Sequence, residues 1–296
     1  MKTIDRGARV ILKTILFATD FSPVANGALC YATDLASRFG AKLIAVHAKG
    51  MPNYALPPET WHLEDQICKD EIERLGQSLR SSLPEAQVDC RTGEGLAWQV
   101  LATVAAESEA DLIVTASTGR TGVDRLLLGS QAEEIIHHAP CPVLTVGPQA
   151  PTRISTPWKL SDILYATNLG PGSGAAVAYA ISLAEEHQAQ LTLLHVAEPP
   201  KAGELVDANM LVKSMKRLLH EMVPEEAAAW CEPRFVVEYG SPGESILQVA
   251  QGTRAGLIVL GARKPDGEPP ATTHLSAGVV HEVIANAASP VLTVAG

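Results

Sequence analysis

After an apolar run that ends at Ala116, the sequence reads STGRTGVDRLLLGSQAEEIIHHAPCPVLTV. Gly119 is followed by nine residues, Arg120–Leu128, and then by Gly129-Ser130. Glycine lets a backbone turn with positive φ and lets a ligand come close. The Gly129-Ser130 pair opens a helix predicted from about Gln131 to His138. Unbonded N–H groups at a helix start, with the helix dipole, favour an anion such as phosphate. The dipole contributes only about 0.3–1 kcal/mol, so several amides and Arg120 or Arg125 would have to add to it. A plainer reading exists: Ser130 and Glu133 match S-x-x-E, a capping box, and Gly119 and Gly122 are then ordinary turn residues. Asp20 closes an earlier apolar run, where its carboxylate can accept from hydroxyl or amino donors. Its plainer reading is a cap on the helix after Phe21-Ser22-Pro23.

Parallel strands and helices would have to position these groups. In the first half, strands are predicted at Ile11–Ala18, Lys42–His47, Gln87–Arg91, Asp111–Ala116 and Val143–Val146. Helices are predicted at Val24–Phe39, along the face marked by Leu63, Ile67, Ile72, Leu75 and Leu79, at Ala97–Ser108, and before the last strand. Alternating β and α elements imply parallel strands joined by right-handed crossovers. Such doubly wound sheets place ligands beyond the carboxyl ends of the strands, where the strand order reverses.

The second half repeats the first. ILFATDFSP at Ile15–Pro23 returns 148 residues on as ILYATNLGP, AKLIAVHA returns as AQLTLLHV, and PVLTV returns unchanged, all at the same offset. The expected domains are residues 1–148 and 158–296, with a proline-bearing linker near Gly147–Trp158. The second set of strands is predicted at Ile163–Ala166, Gln190–His195, Arg234–Tyr239, Leu257–Gly261 and Val291–Val294. Its helices are predicted at Gly174–His187, along Met210, Leu211, Met215, Leu218, Leu219 and Met222, at Glu244–Gly252, and before the last strand.

The spacing G-x-x-G, nine residues, then G-S closely resembles the signature of the universal stress protein family. RTGVDRLLLGS, HAPCPVLTV and ATDFSP resemble it too, and the likeness covers nearly all of both halves. It implies an α/β fold of two tandem flavodoxin-like (adenine nucleotide α-hydrolase-like) domains. Each would be a five-stranded parallel sheet with helices on both faces. It also implies that the first half binds ATP, alone or with Mg, through Ala18, Thr19, Asp20, Ala48, Ala116, Gly119, Arg120, Gly129, Ser130 and Gln131. Asp20 would contact the nucleoside, and Ala48 would offer backbone groups to the base. The chain departs from the signature at Ala116, where the family has glycine. If φ there is positive, alanine costs roughly 1–2 kcal/mol; if only a small side chain is needed, it costs little.

The second half has lost the pattern. Asn168 replaces Asp20, and loss of a charged hydrogen bond forfeits about 1.5–3 kcal/mol. Gly261 remains, Lys264 stands in place of the second glycine, and Pro265, Pro269 and Pro270 stiffen a longer loop. Ala277-Gly278 is the nearest match to the G-S pair. Arg263 and Lys264 read as a solvated loop ahead of an anion site. This half is not expected to hold ATP in the family manner.

A net charge of −10 with scattered Lys and Arg argues against nucleic acid and against a polybasic membrane anchor. No stretch approaches the roughly 18–20 apolar residues of a membrane span, and the N-terminus lacks a signal-peptide pattern, so a cytoplasmic protein is expected. Five cysteines without a C-x-x-C pair read as small buried side chains in a reducing compartment. His47 and His195 hold the same place in the two halves, and hydrogen bonds to backbone explain both. No catalytic residue, nucleophile elbow or Walker lysine stands out. Slow ATP hydrolysis stays open, since bound phosphates need only a positioned water.

Two functions follow from these readings. One is a nucleotide-binding stress or signalling module. The other is a ligand-independent interaction protein whose PVLTV strands pair the halves as an internal pseudo-dimer, or pair two chains as a homodimer.

Overall fold

A computed structural model describes residues 10–50, 58–83, 86–117, 128–152, 158–170, 173–197, 208–229, 231–262 and 277–295. It divides into two compact units. One is Ile11–Trp158; the other is Lys159–Gly296 together with Met1–Val10.

The first unit runs β1 (Thr14–Ala18), α1 (Pro23–Phe39), β2 (Lys42–Lys49), α2 (Pro58–Ser82), β3 (Val88–Glu94), α3 (Ala97–Glu107), β4 (Leu112–Ala116), α4 (Ser130–His138) and β5 (Val143–Val146). Every pairing is parallel: β3 with β2, β2 with β1, β1 with β4, β4 with β5. Strand order therefore reverses between β1 and β4. The central strands are covered on both faces, which is why they read as unbroken apolar runs. Ile15, Leu16, Phe17, Ile113 and Val114 are all fully buried.

The second unit repeats the plan with β6 (Asp162–Thr167), α5 (Ser173–His187), β7 (Gln190–Ala197), α6 (Ala208–Glu221), a 3₁₀ turn, β8 (Arg234–Tyr239), α7 (Pro242–Thr253), β9 (Leu257–Ala262), α8 (Ala277–Asn286) and β10 (Val291–Ala295). Its strands are also parallel, and β6 lies between β7 and β9. The α/β class and the two flavodoxin-like units match the sequence reading. Among the described residues no helix is long and apolar enough to cross a membrane.

Local chemistry explains the element ends. Ser22 caps α1 by accepting from the Ala25 amide, and Pro23 follows it in the first turn. At the other end Gly40 takes the left-handed conformation (φ 59°), and its amide reaches back to the Ala36 and Ser37 carbonyls. β1 starts at Thr14, later than the Ile11 expected. The Lys13 and Thr14 amides donate to one Asp111 carboxylate oxygen at 2.7 and 3.0 Å, and Ile11 is 60% exposed.

The α2 face is only half used. Leu79 and Ile72 are buried, but Leu63 and Ile67 face solvent. In α6, Leu219 is buried while Met210 and Leu218 are exposed. The cysteines also depart from expectation. Cys231 is buried, but Cys30, Cys68, Cys90 and Cys141 are half-buried, and all five are free thiols.

Pro151 and Trp158, which follow β5, pack on α1. The Tyr31 hydroxyl donates to the Pro151 carbonyl at 2.7 Å, and its ring meets Trp158 edge-on at 4.9 Å. The Trp158 amide donates to Asp34 at 3.2 Å.

Tyr165 of β6 stands where Phe17 stands in β1. It is 1% exposed, and its hydroxyl donates to the Ser173 carbonyl at 3.0 Å. Burial pushes its phenol up to about 12, against the pull of its bonds to Thr167 and Ser173. The folded state therefore favours the neutral phenol. Its contribution is complete below about pH 10, the ordinary phenol value, and drains away as pH climbs to about 12. Tyr165→Phe should lower stability in urea by about 1 kcal/mol at pH 7. The variant should also lack the wild-type loss of stability between pH 10 and 12.

Candidate functional site

The carboxyl ends of β1, β2 and β4 lie where the strand order reverses, and five of the ten predicted residues, Ala18, Thr19, Asp20, Ala48 and Ala116, sit on or just past them. Ala18 ends β1 opposite Val46. The Thr19 amide then donates to the Val46 carbonyl at 3.0 Å, extending the ladder by one residue. The turn beyond is tight. The Thr19 hydroxyl accepts from the Phe21 amide at 3.0 Å, and Asp20 Oδ1 accepts from the Ser22 amide at 2.9 Å. These bonds hold Phe21 at φ 61°, a left-handed conformation uncommon for an aromatic residue. Asp20 is therefore not the cap of α1, since Ser22 has that role. Asp20 shapes the turn that leads to the cap.

β2 supplies the neighbouring wall. Ala48 lies opposite Gly93 of β3. His47 is buried, and its Nδ1 lies 2.8 Å from the Thr19 carbonyl. A carbonyl can only accept, so Nδ1 carries a proton, and in the neutral ring Nε2 is then an acceptor. Cys68 Sγ of α2 lies 3.7 Å from that Nε2, and the Phe21 ring lies over the imidazole at 4.5 Å. The backbone bond of His47 is what the sequence reading expects; the cysteine contact is new. Nearby, Lys49 bridges Asp65 of α2 and Glu94 of β3. Lys49 and then Lys69 hold the Asp65 carboxyl down to about 2.

β4 ends at Ala116, opposite Val146. Ala116 is not among the positive-φ residues, and neither is Gly261, its counterpart in the second unit. Alanine thus adds no backbone strain there. Ser117 follows, fully buried, and its hydroxyl has no hydrogen-bond partner among the described residues. Its carbonyl accepts from the Gly129 amide at 2.8 Å.

That bond corrects one expectation. The Gly129 N–H is committed to protein and offers nothing to a ligand, because it ties the start of α4 back to the end of β4. A second correction concerns the cap. Gly129 itself is the N-cap (φ −67°, ψ 143°), without a side-chain cap bond, and Ser130 is the first helical residue. The capping box is not formed. Ser130, Gln131 and Ala132 have no carbonyl four residues earlier within the helix, so their amides are the first-turn donors of α4. Gly119 and Arg120, with Gly122 and Arg125, lie outside the described residues.

The second unit serves as an internal comparison. The Thr167 hydroxyl accepts from Leu169 N at 3.0 Å, Asn168 Oδ1 accepts from Gly170 N at 3.1 Å, and Leu169 has φ 61°. His195 Nδ1 lies 2.9 Å from the Thr167 carbonyl. The turn is thus built twice with the same bonds, once around a carboxylate and once around an amide. The amide satisfies the turn as the carboxylate does, so the turn itself does not require the negative charge at Asp20. Arg263, Lys264, Pro265, Pro269 and Pro270 lie outside the described residues.

Sequence reasoning missed Phe21, Ser22, Cys68, Lys49 and Ser117. Only Ser22 carried a local signal, a serine directly before a helix-opening proline. The others matter through neighbours on different elements.

Comparison with known proteins agrees with this architecture. A family model described as the universal stress protein family matches residues 12–147 and again 160–295. A universal stress protein of Methanocaldococcus jannaschii is 34% identical over 150 residues, covering 49% of this chain and 88% of that protein. One from Thermus aquaticus is 33% identical over 140 residues, covering 46% and 99%. Among solved structures, a universal stress protein from Archaeoglobus fulgidus has the same fold. Its TM-score is 0.72 at 17% identity, over 95% of this chain and 98% of that one.

Asp20→Asn should leave the turn intact, because Asn168 already holds the same turn. Thermal or urea unfolding should show a stability change within about 0.5 kcal/mol. Asp20→Ala, which removes the acceptor for the Ser22 amide, should cost about 1 kcal/mol.

Proposed function

This chain belongs to the universal stress protein family, and from that premise we propose that its N-terminal half binds ATP and acts as a stress-response or signalling module. The observation that carries the reading is the pair Asp20 and Asn168. One turn geometry is kept in both halves, and only the first keeps a carboxylate at the strand-order reversal, where doubly wound sheets take their ligands. A carboxylate there accepts strongly from ribose hydroxyls or base amines.

Two further features support it. The first-turn amides of α4 and the helix dipole suit phosphate. The buried Ser117 hydroxyl, without a hydrogen-bond partner among the described residues, lies at the end of β4, and the Ser117 carbonyl holds the same helix start. On this reading Ala18, Thr19 and Asp20 line the nucleoside side, Ala48 offers its backbone to the base, and Ser130 and Gln131 meet the phosphates. Gly119 and Arg120 belong to the proposal by family resemblance alone. Binding of ATP with or without Mg, a cytoplasmic site of action and a homodimer are part of the same proposal.

The committed Gly129 amide favours a second reading, an interaction scaffold that needs no ligand. In it the halves, or two chains, pair through their last strands.

Isothermal calorimetry with ATP, with and without Mg, separates the two. Wild type should bind one nucleotide per chain. Asp20→Asn should fold normally yet bind about ten- to a hundredfold more weakly, the equivalent of one charged hydrogen bond. A wild-type protein that takes up no nucleotide, and carries none after native purification, leaves the scaffold.

A further inference from the structure

The geometry points to a second chemical site in the first unit: Cys68 is a reactive thiol, with His47 as its base, that forms mixed disulfides with small disulfide compounds. The arrangement has the three parts such chemistry needs, a nucleophile, a base within reach and a group that orients the base. Cys68 Sγ lies 3.7 Å from His47 Nε2. The Thr19 carbonyl, 2.8 Å from Nδ1, fixes the tautomer so that Nε2 is the basic nitrogen. Phe21 packs on the ring and limits its rotation. Cys68 is a half-buried residue and His47 is 8% exposed, so the base is shielded from water.

The other cysteines contrast with it. The Cys30 thiol donates to the Gly27 carbonyl at 3.0 Å, which favours the neutral form. Burial pushes Cys90 up, and it pushes Cys141 up to about 12. Cys231 is buried. In the second unit His195 keeps the carbonyl bond, but no thiol contact to it exists among the described residues. The pair is therefore not a by-product of duplication. Among the described residues, the charges on the surrounding elements are Asp20 after β1, Lys49 on β2, Glu94 on β3, and Glu64, Asp65, Lys69 and Glu71 on α2. The two lysines are matched by Asp65 and Glu94.

The reaction balances without an outside reductant. The Cys68 proton passes to His47 Nε2, and the thiolate attacks one sulfur of the small disulfide. A new Sγ–S bond forms as the reagent's S–S bond breaks, and the leaving thiolate takes the proton back from His47. The site is independent of the nucleotide reading, so the test uses nucleotide-free protein.

The full-length protein is mixed with oxidised glutathione between pH 5 and 10, and adduct formation at each cysteine is followed by peptide mass spectrometry. For native Cys68 the rate should inflect below the ordinary thiol value of about 8.5. At pH 6 it should exceed the rate of the same cysteine in urea by roughly tenfold. His47→Gln should move the inflection back to the urea value. Should that variant fail to fold, the native-against-urea comparison in wild type decides by itself. A native Cys68 that inflects with the unfolded chain, or reacts no faster at pH 6, overturns the assignment.

Discussion

The bond between the Thr19 carbonyl and His47 Nδ1 organises the business end of the first unit. It joins the exits of β1 and β2 just where the ladder stops, so the chain leaving β1 cannot drift. The short turn through Asp20 and Phe21 then delivers the chain to Ser22 and the first turn of α1. A carbonyl at a strand end would otherwise need water or a ligand. A buried imidazole likewise needs its N–H satisfied. Each group solves the other's problem, and the second unit uses the same solution at Thr167 and His195.

Around that shared frame the two units have diverged in charge and reactivity more than in shape. Backbone bonds tolerate substitution wherever the new side chain offers an acceptor in the same place, as Asn168 does for Asp20. Duplication therefore leaves the fold under strict control and frees the side chains at the strand ends. Asp20 and His47 occupy such positions, and Cys68 reaches His47 from α2.

The order of elements was legible in the amino-acid sequence because buried parallel strands must be continuous apolar runs, and three runs recur at one spacing. Ile113 and Val259 can be read that way without coordinates. Helix α2 was legible as a helix but not in its burial, since periodicity marks a face and does not say how much of it meets the sheet. At the candidate site the position of Asp20 at the end of a strand was legible, and its bonds were not. Nothing local distinguishes Gly129 as a bonded amide from Gly129 as a free one; the partner, Ser117, lies on another element. Nor does any spacing connect Cys68 with His47, which meet only because α2 packs across the β2–β3 edge of the unit.

The stretch after β5 looks like a tether in composition, yet it is stitched to α1 by Tyr31, Asp34 and Trp158. A fragment ended at residue 148 would leave the Tyr31 hydroxyl without its Pro151 carbonyl and uncover an aromatic edge to water. The first unit therefore runs through Trp158, and Pro151 and Trp158 are part of its packing on α1.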